Sequence, residues 1–420
     1  MPASNFPYRY GQKDRNQIRL IRLFPGKTHH DICVDINRVY ASSNPTYEAL
    51  SYAWGDPDHI GRSRGTTISY ESKFYNKGVL LISRNLASAF RHLRNLKEVR
   101  TLWIDAISIN QGDIEERSEE VAKMGSIYSN AWRVIVWLGS SSEDSALALQ
   151  TLSNIQEDID FVERDGNHTF TASGATRELE RSPSAWRTKV LSWIAIRNLL
   201  NRPWFGRLWI FQEIGNAANA VVVVGKDAMP WETLRVAVFW ILHMTEGKAP
   251  LCDVFDAAYL RQIEPLMKEN RGRALERLLD STKKSLCSNP RDRIYAVLSL
   301  LHKHDPIAEA IIPDYSRSVE EVYTKLTLSQ IQTSGKLRLL SLCTFRNPKS
   351  TLNLHSWVPD LSIPNLLESI LNSNASGLST HENDPGLDYH DSKKSLKIRG
   401  CVAGVINEVL TPIEPSARLP

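Results

Sequence analysis

Three short apolar runs, separated by stretches of helical spacing, restrict this chain more than any other feature of its sequence. Tyr47–Trp54 (YEALSYAW), Arg100–Ile104 (RTLWI) and Val134–Leu138 (VIVWL) read as strands. The first is stopped by the turn signal Gly55-Asp56-Pro57, and the last ends at Gly139. Between them, Ser83 can cap a helix to about Leu96 with Leu86, Phe90 and Leu93 on one stripe. Asp113 starts another, with Glu116 completing a capping box and Ile114, Val121, Met124 and Tyr128 at helical spacing. Strand, helix, strand, helix, strand predicts an α/β fold: a parallel sheet with helices on its faces. Ligands of such sheets bind beyond the carboxyl ends of the strands.

The flanks add to this unit. Ile18–Phe24 and Asp31–Val39 alternate polar with apolar residues and predict a strand pair. Thr66–Tyr70 and Val79–Ile82 are further short strands. A polar insertion or mobile loop is expected over about 157–184, followed by a helix at Val190–Leu200, the loop Arg202–Gly206 and a short helix from Arg207 to about Ile214. Beyond Asn216 the texture is mainly helical. Val319–Gln330 and Arg291–Leu301 are the clearest helices there, with strands at Ala220–Val224 and Ser395–Val402 and a loose polar stretch at 372–394. Three parts are therefore expected. They are an N-terminal strand pair (1–46) packed on the central domain, the α/β domain (47–216), and a mainly helical region (217–420). At 420 residues the chain is long for one hydrophobic core.

Composition removes several functions. A net charge of +4, with 51 basic residues set among 47 acidic ones, gives no nucleic-acid footprint. Arg15, Arg19 and Arg22 read as one solvated face of a strand. The five cysteines are scattered and have no metal-ligand spacing, so no metal is expected and a reducing, cytoplasmic setting fits. No apolar run approaches the roughly 20 residues that span a bilayer, and Val236–Leu242 reads as a buried helix. There is no GxGxxG after a strand, no P-loop, no HExxH and no G-x-S-x-G. The eleven tryptophans cluster in short motifs, which marks a specialised site.

Candidate residues follow from position. Asp105, Asn110 and Gln111 fall in the exit loop of the Arg100–Ile104 strand, where a sheet presents ligands, although Asp105 can equally cap a turn. Tyr52 and Trp54 share one face at the end of their strand; Trp54 either stacks on a ligand ring or belongs to the core. Arg117 lies on the apolar stripe of its helix and requires a carboxylate, since an unpaired buried charge costs about 3–5 kcal/mol. Asp105 and Glu213 are the candidate partners, and the pair would be a structural ion pair or part of a phosphate clamp.

Four segments in order carry a resemblance: YEALSYAWG at 47–55, LWIDAISIN followed by Gln111 at 102–111, the Glu116-Arg117 to Gly139 stretch, and RPWFGRLW with Gln212-Glu213 at 202–213. Together they resemble the heterokaryon-incompatibility (HET) domain of fungi, with Ser108 where the family often has Cys and Glu120 where it has Gln. The NPRDRIYAVL stretch at 289–298, Pro313-Asp314-Tyr315 and Ser356–Asp360 resemble the region that follows such domains. Similar chains often continue further, so a short member or an incomplete gene product is expected.

HET domains are in turn similar to TIR domains, which have flavodoxin-like folds and of which some cleave NAD at its N-glycosidic bond. The resemblance implies self/non-self recognition leading to programmed cell death, and self-association or pairing with another incompatibility protein. It further implies Glu213 as the catalytic carboxylate, Trp209 one helical turn before it, and NAD as a substrate rather than a resident cofactor. A carboxylate beside an indole is partly desolvated and could face the positive charge that builds on the ribose. The alternatives are a structural salt bridge at Glu213 and a non-catalytic module that self-associates and recruits a death effector.

Overall fold

In the computed structural model, nine strands form one sheet. The structure describes residues 10–54, 66–71, 78–164, 167–181, 189–245, 255, 263–268, 272–334, 337–343, 351–363, 388–390 and 395–397. In chain order the strands are β1 (Gln17–Leu23), β2 (Cys33–Tyr40), β3 (Glu48–Tyr52), β4 (Thr66–Glu71), β5 (Gly78–Ile82), β6 (Arg100–Trp103), β7 (Arg133–Trp137), β10 (Ala220–Val224) and β11 (Asp227–Pro230). The numbers β8 (Ile159–Arg164) and β9 (Asn167–Ala172) belong to a separate hairpin. Across the sheet the order is β11-β10-β7-β3-β6-β1-β2-β4-β5.

Four central strands, β10, β7, β3 and β6, are mutually parallel. Taken by their own sequence order they run 2-1-3-4 across the sheet, the flavodoxin-like arrangement, with its topological switch point between β3 and β7. The rest of the sheet is mixed. β1 runs antiparallel to β6 and to β2, and β11 closes the other edge antiparallel to β10. The α/β expectation holds, while the parallel part is only the centre of a larger sheet.

The helices relevant to the site are α1 (Arg84–Leu93), α2 (Ile114–Asn130), α3 (Ser145–Glu157), α4 (Gly174–Arg181), α5 (Val190–Leu200), α6 (Ile210–Gly215), α7 (Trp231–Thr245), α8 (Leu275–Thr282) and α9 (Val319–Ser334). Ser83 caps α1 as expected, accepting from Leu86 N–H. Asp113 caps α2 by accepting from Glu116 N–H. The reciprocal half of that capping box is not made. The Glu116 carboxylate instead accepts from Asn110 N–H and from the Arg19 guanidinium.

Strand alternation sends side chains to two cores. Leu50, Tyr52, Ile104, Ile135 and Trp137 pack with Leu86 and Phe90 of α1 on one face. The other face is much larger: Ala49, Trp103, Val134 and Val136 join residues of α2, α3, α5, α6 and α7. The same continuous core takes in Ile18 at one end of the chain and Leu278, Ile294, Tyr323 and Val358 at the other. The region after Asn216 is thus built into the domain's own interior.

Several expectations change. The N-terminal strand pair joins the domain's sheet directly: β1 and β2 lie between β6 and β4. Arg19 is accordingly buried, not solvated, and pairs with Glu116. The described residues of the polar insertion include the β8–β9 hairpin, whose Phe161 and Phe170 pack on Phe239 of α7. Helix is interrupted within Arg291–Leu301: a helical turn, Asp292–Tyr295, is followed by a 3-10 turn, Leu298–Leu300. Ser299 and Leu300 there press against Gly125 and Gly215, where an added Cβ would stand 2.4 and 2.6 Å from their side chains. The stretch at 372–394 and the end of the strand at 395–402 fall largely outside the described residues.

At the amino ends of the parallel strands, Glu48 of β3 accepts from Arg100 of β6 (2.9 Å to Nη2) and from Arg133 of β7 (2.5 Å). Burial works against its charge, but the two guanidinium groups outweigh it and hold the carboxyl below the usual range. One side chain therefore fixes three strands from below.

Candidate functional site at the carboxyl ends of the parallel strands

Chain direction carries the motif residues to the opposite end. β6 runs into Asp105, which opens a helical turn, Asp105–Ser108. Ser108 closes the turn by accepting from Ile104 N–H at 3.2 Å. One Asp105 oxygen accepts from Ala106 N–H (2.7 Å), and the other accepts from the indole N–H of Trp54, which leaves β3 next door (2.9 Å). Gln111 donates to the Asp105 carbonyl at 3.2 Å.

On the large-core face of β3, Ser51 points the opposite way from Tyr52. Its hydroxyl donates to Glu213 of α6 and accepts from the indole N–H of Trp204 at 2.7 Å. Arg207 lies 3.3 Å from Oε1 of Glu213 and 3.4 Å from Oε2. Glu213 has no exposed surface, and its Oε1 is buried without accepting a hydrogen bond. What compensates that oxygen is the charge of Arg207 and not a hydrogen bond.

Asp105, Glu213 and Arg207 form one electrostatic cluster. Burial lifts the Asp105 carboxyl to about 7; Arg207 pulls against that shift and Glu213 adds to it. Burial opposes the charge of Arg207, yet Glu213 and then Asp105 raise it above the usual range. Tyr52 and Tyr128 border the same charges. Each is pushed up first by burial, and both are raised further by Asp105 and Glu213.

The structure thus brings together Trp54, Asp105 and Glu213, with Gln111 on the Asp105 backbone. Tyr52 is 2% exposed and lies in the smaller core. The Asn110 side chain is used in its own loop, where it accepts from Gly112 N–H. Two residues expected near ligand stand elsewhere. Arg117 stacks its guanidinium on the ring of Tyr315 at 3.9 Å, and Trp209 donates its indole N–H to Asp292 at 3.1 Å. Neither Asp105 nor Glu213 is bonded to Arg117; the carboxylate whose field it modifies is Asp292.

Three members of the cluster escape sequence reasoning: Ser51, Trp204 and Arg207. One signal was available. Ser51 is a small polar residue on the inward phase of an apolar strand, and a buried hydroxyl needs a partner. Arg207 was expected inside the short helix. It instead makes a parallel bridge to Leu286, with Leu208 N–H donating to the Leu286 carbonyl at 2.9 Å. That extended residue delays the helix to Ile210.

Fold and site define an α/β domain with flavodoxin-like strand order and a buried cluster of two carboxyls and one guanidinium at its carboxyl rim. Residues 47–213 match the family described as heterokaryon incompatibility protein (HET), so this chain carries a HET domain. It is 27% identical over 399 residues to heterokaryon incompatibility protein 6, OR allele, of Neurospora crassa, an alignment covering 82% of this chain and 57% of that one. The chain therefore spans a little over half the length of that curated relative. No solved structure matches. Among the described residues no helix is long and apolar enough to cross a membrane, and no group of His, Cys, Asp and Glu could hold a metal ion.

Proposed function

We propose that this protein acts in fungal self/non-self recognition and promotes cell death, and that its HET domain does so by cleaving the N-glycosidic bond of NAD. The observation that carries the reading is the pairing of Asp105, lifted to about 7, with the buried Glu213–Arg207 pair at the carboxyl rim of a parallel sheet. In the reaction, the bond from the ribose carbon to nicotinamide breaks with its electron pair leaving on the nicotinamide nitrogen. Glu213, whose buried Oε1 accepts no hydrogen bond within the fold, would face the positive charge left on the sugar. Water adds to that carbon, and its proton passes to Asp105, whose raised pKa suits a base near neutral pH.

A specific observation favours a second reading. Glu213 has no exposed surface, and Ser51 and Arg207 tie it into the fold. This is the setting of a structural carboxylate in a domain that signals by self-association or by engaging another incompatibility protein. Nicotinamide release from NAD, followed by chromatography over a range of protein concentrations, separates the two. Catalysis predicts release by the wild type and its loss in Glu213→Gln protein that is still folded at the assay temperature. No release by the wild type at any concentration would leave the assembly reading standing.

A further inference from the structure

Helix α6, which carries Glu213, has only six residues, and a helix this short has no stability of its own. Its inner side is fixed by Ser51. Its outer side is held by the 286–300 stretch, largely point by point. Leu286 bonds the backbone of Gly206 and Leu208. The Gln212 amide reaches the Ala296 carbonyl at 3.2 Å and Gly125 N–H at 2.9 Å. Asn216 donates to Ser299 Oγ at 2.8 Å.

At the start of the helix stands Asp292. One of its oxygens accepts from the Trp209 indole (3.1 Å) and the other from the Tyr315 hydroxyl (2.7 Å). The Tyr315 ring carries the Arg117 guanidinium, and Tyr315 N–H donates to Ser118 of α2 at 3.0 Å. Asp292 is thus a junction of four pieces of chain: the turn it begins, the 314–315 strap, α2 and the entry to α6. Trp209 is the cap residue of α6, and the Glu213 N–H donates to its carbonyl at 3.0 Å. Anything that moves Trp209 moves the turn of helix bearing the carboxylate.

We propose that Asp292 is a positioning residue for Glu213: through Trp209 it sets where the Glu213–Arg207 pair stands against Asp105, so that the region after Asn216 controls the site. The inference gives Arg117 and Trp209 a coupling role in place of ligand contact. It rests on the proposed catalytic reading only for its kinetic consequence, because the geometry exists whether or not NAD is cleaved.

The test uses the full chain and a readout independent of turnover. The Trp54 indole N–H is bonded to Asp105, so its proton NMR resonance, assigned by its absence in Trp54→Phe, reports the ionisation of Asp105. That ionisation responds to Arg207 and Glu213. Asp292→Ala, which strips Trp209 and Tyr315 of their acceptor, is expected to move the titration midpoint by roughly half a pH unit or more. Asp292→Asn keeps an acceptor for Trp209 and is expected to restore the wild-type midpoint. Tyr315→Phe removes one hydroxyl and keeps the ring under Arg117; it is expected to give a smaller displacement, and it decides the matter if Asp292→Ala does not fold. A merely destabilised protein would leave the midpoint in place, and an unmoved midpoint in a folded variant overturns the proposal. If the wild type releases nicotinamide, Asp292→Ala lowers kcat at least about tenfold with little change in KM, as expected for loss of an interaction made only in the transition state. If the wild type releases none, the catalytic reading fails while the titration still decides this one.

Discussion

Two carboxyl groups share one guanidinium at the rim of the sheet, and that arithmetic has a measurable consequence. Asp105 sits at about 7 in the folded protein against 3.8 as the ordinary value. Between those values the native state retains a proton that the unfolded chain has released, so stability falls as pH rises from about 4 to 7 and then levels. The loss amounts to roughly 4 kcal/mol over the whole window. Urea denaturation at a series of pH values should show it in the wild type and not in Asp105→Asn, the difference between the two cancelling Glu48 and other groups. Equal slopes would mean that Asp105 is solvated. Ser51 offers a second check at the same scale. Ser51→Ala leaves the Trp204 indole without a bonded partner and Glu213 Oε2 with Arg207 alone, and is expected to cost about 1–3 kcal/mol by urea denaturation.

Elements were legible where periodicity alone decides them. The strands at β3, β6 and β7, the cap at Ser83 and the helix at Val190–Leu200 follow from local pattern, and the structure places them with small shifts in their ends. Failures came where a distant segment supplies the decisive contact. Arg19 looks solvated until β6 and β2 flank its strand, and Arg207 looks helical until Leu286 pairs with it. The half of the candidate site written in the motifs was readable; the half made by Ser51, Trp204 and Arg207 exists only once α6 packs on β3. The tightest joint between elements gives another prediction. Gly125→Ala on α2 would place a methyl 2.4 Å from the Ser299 side chain and should destabilise by about 1–3 kcal/mol. Adding Ser299→Gly should recover most of that loss in a thermal melt, whereas simple additivity of the two changes would exclude direct contact as the cause.

For the molecule as a whole, the recognised domain and the folding unit differ. The HET match begins at residue 47, yet β1 and β2 stand in the middle of the sheet and one core runs from Ile18 to Val358. A fragment of residues 47–216 would expose both the flank of β6 and the outer side of α6. It is expected to lack a cooperative thermal transition by circular dichroism, whereas the full chain shows one. A sharp melt from the fragment would establish the domain as autonomous.

The clamp of Glu48 on Arg100 and Arg133 has a consequence for how such a protein can vary. Strand register is decided at the base of the sheet, far from the loops that follow Tyr52, Trp103 and Trp137. Those loops can then lengthen, shorten or change composition while the scaffold beneath stays in place. Variation at the rim and constancy at the base are thereby separated by the length of a strand, with one anchored glutamate holding the base.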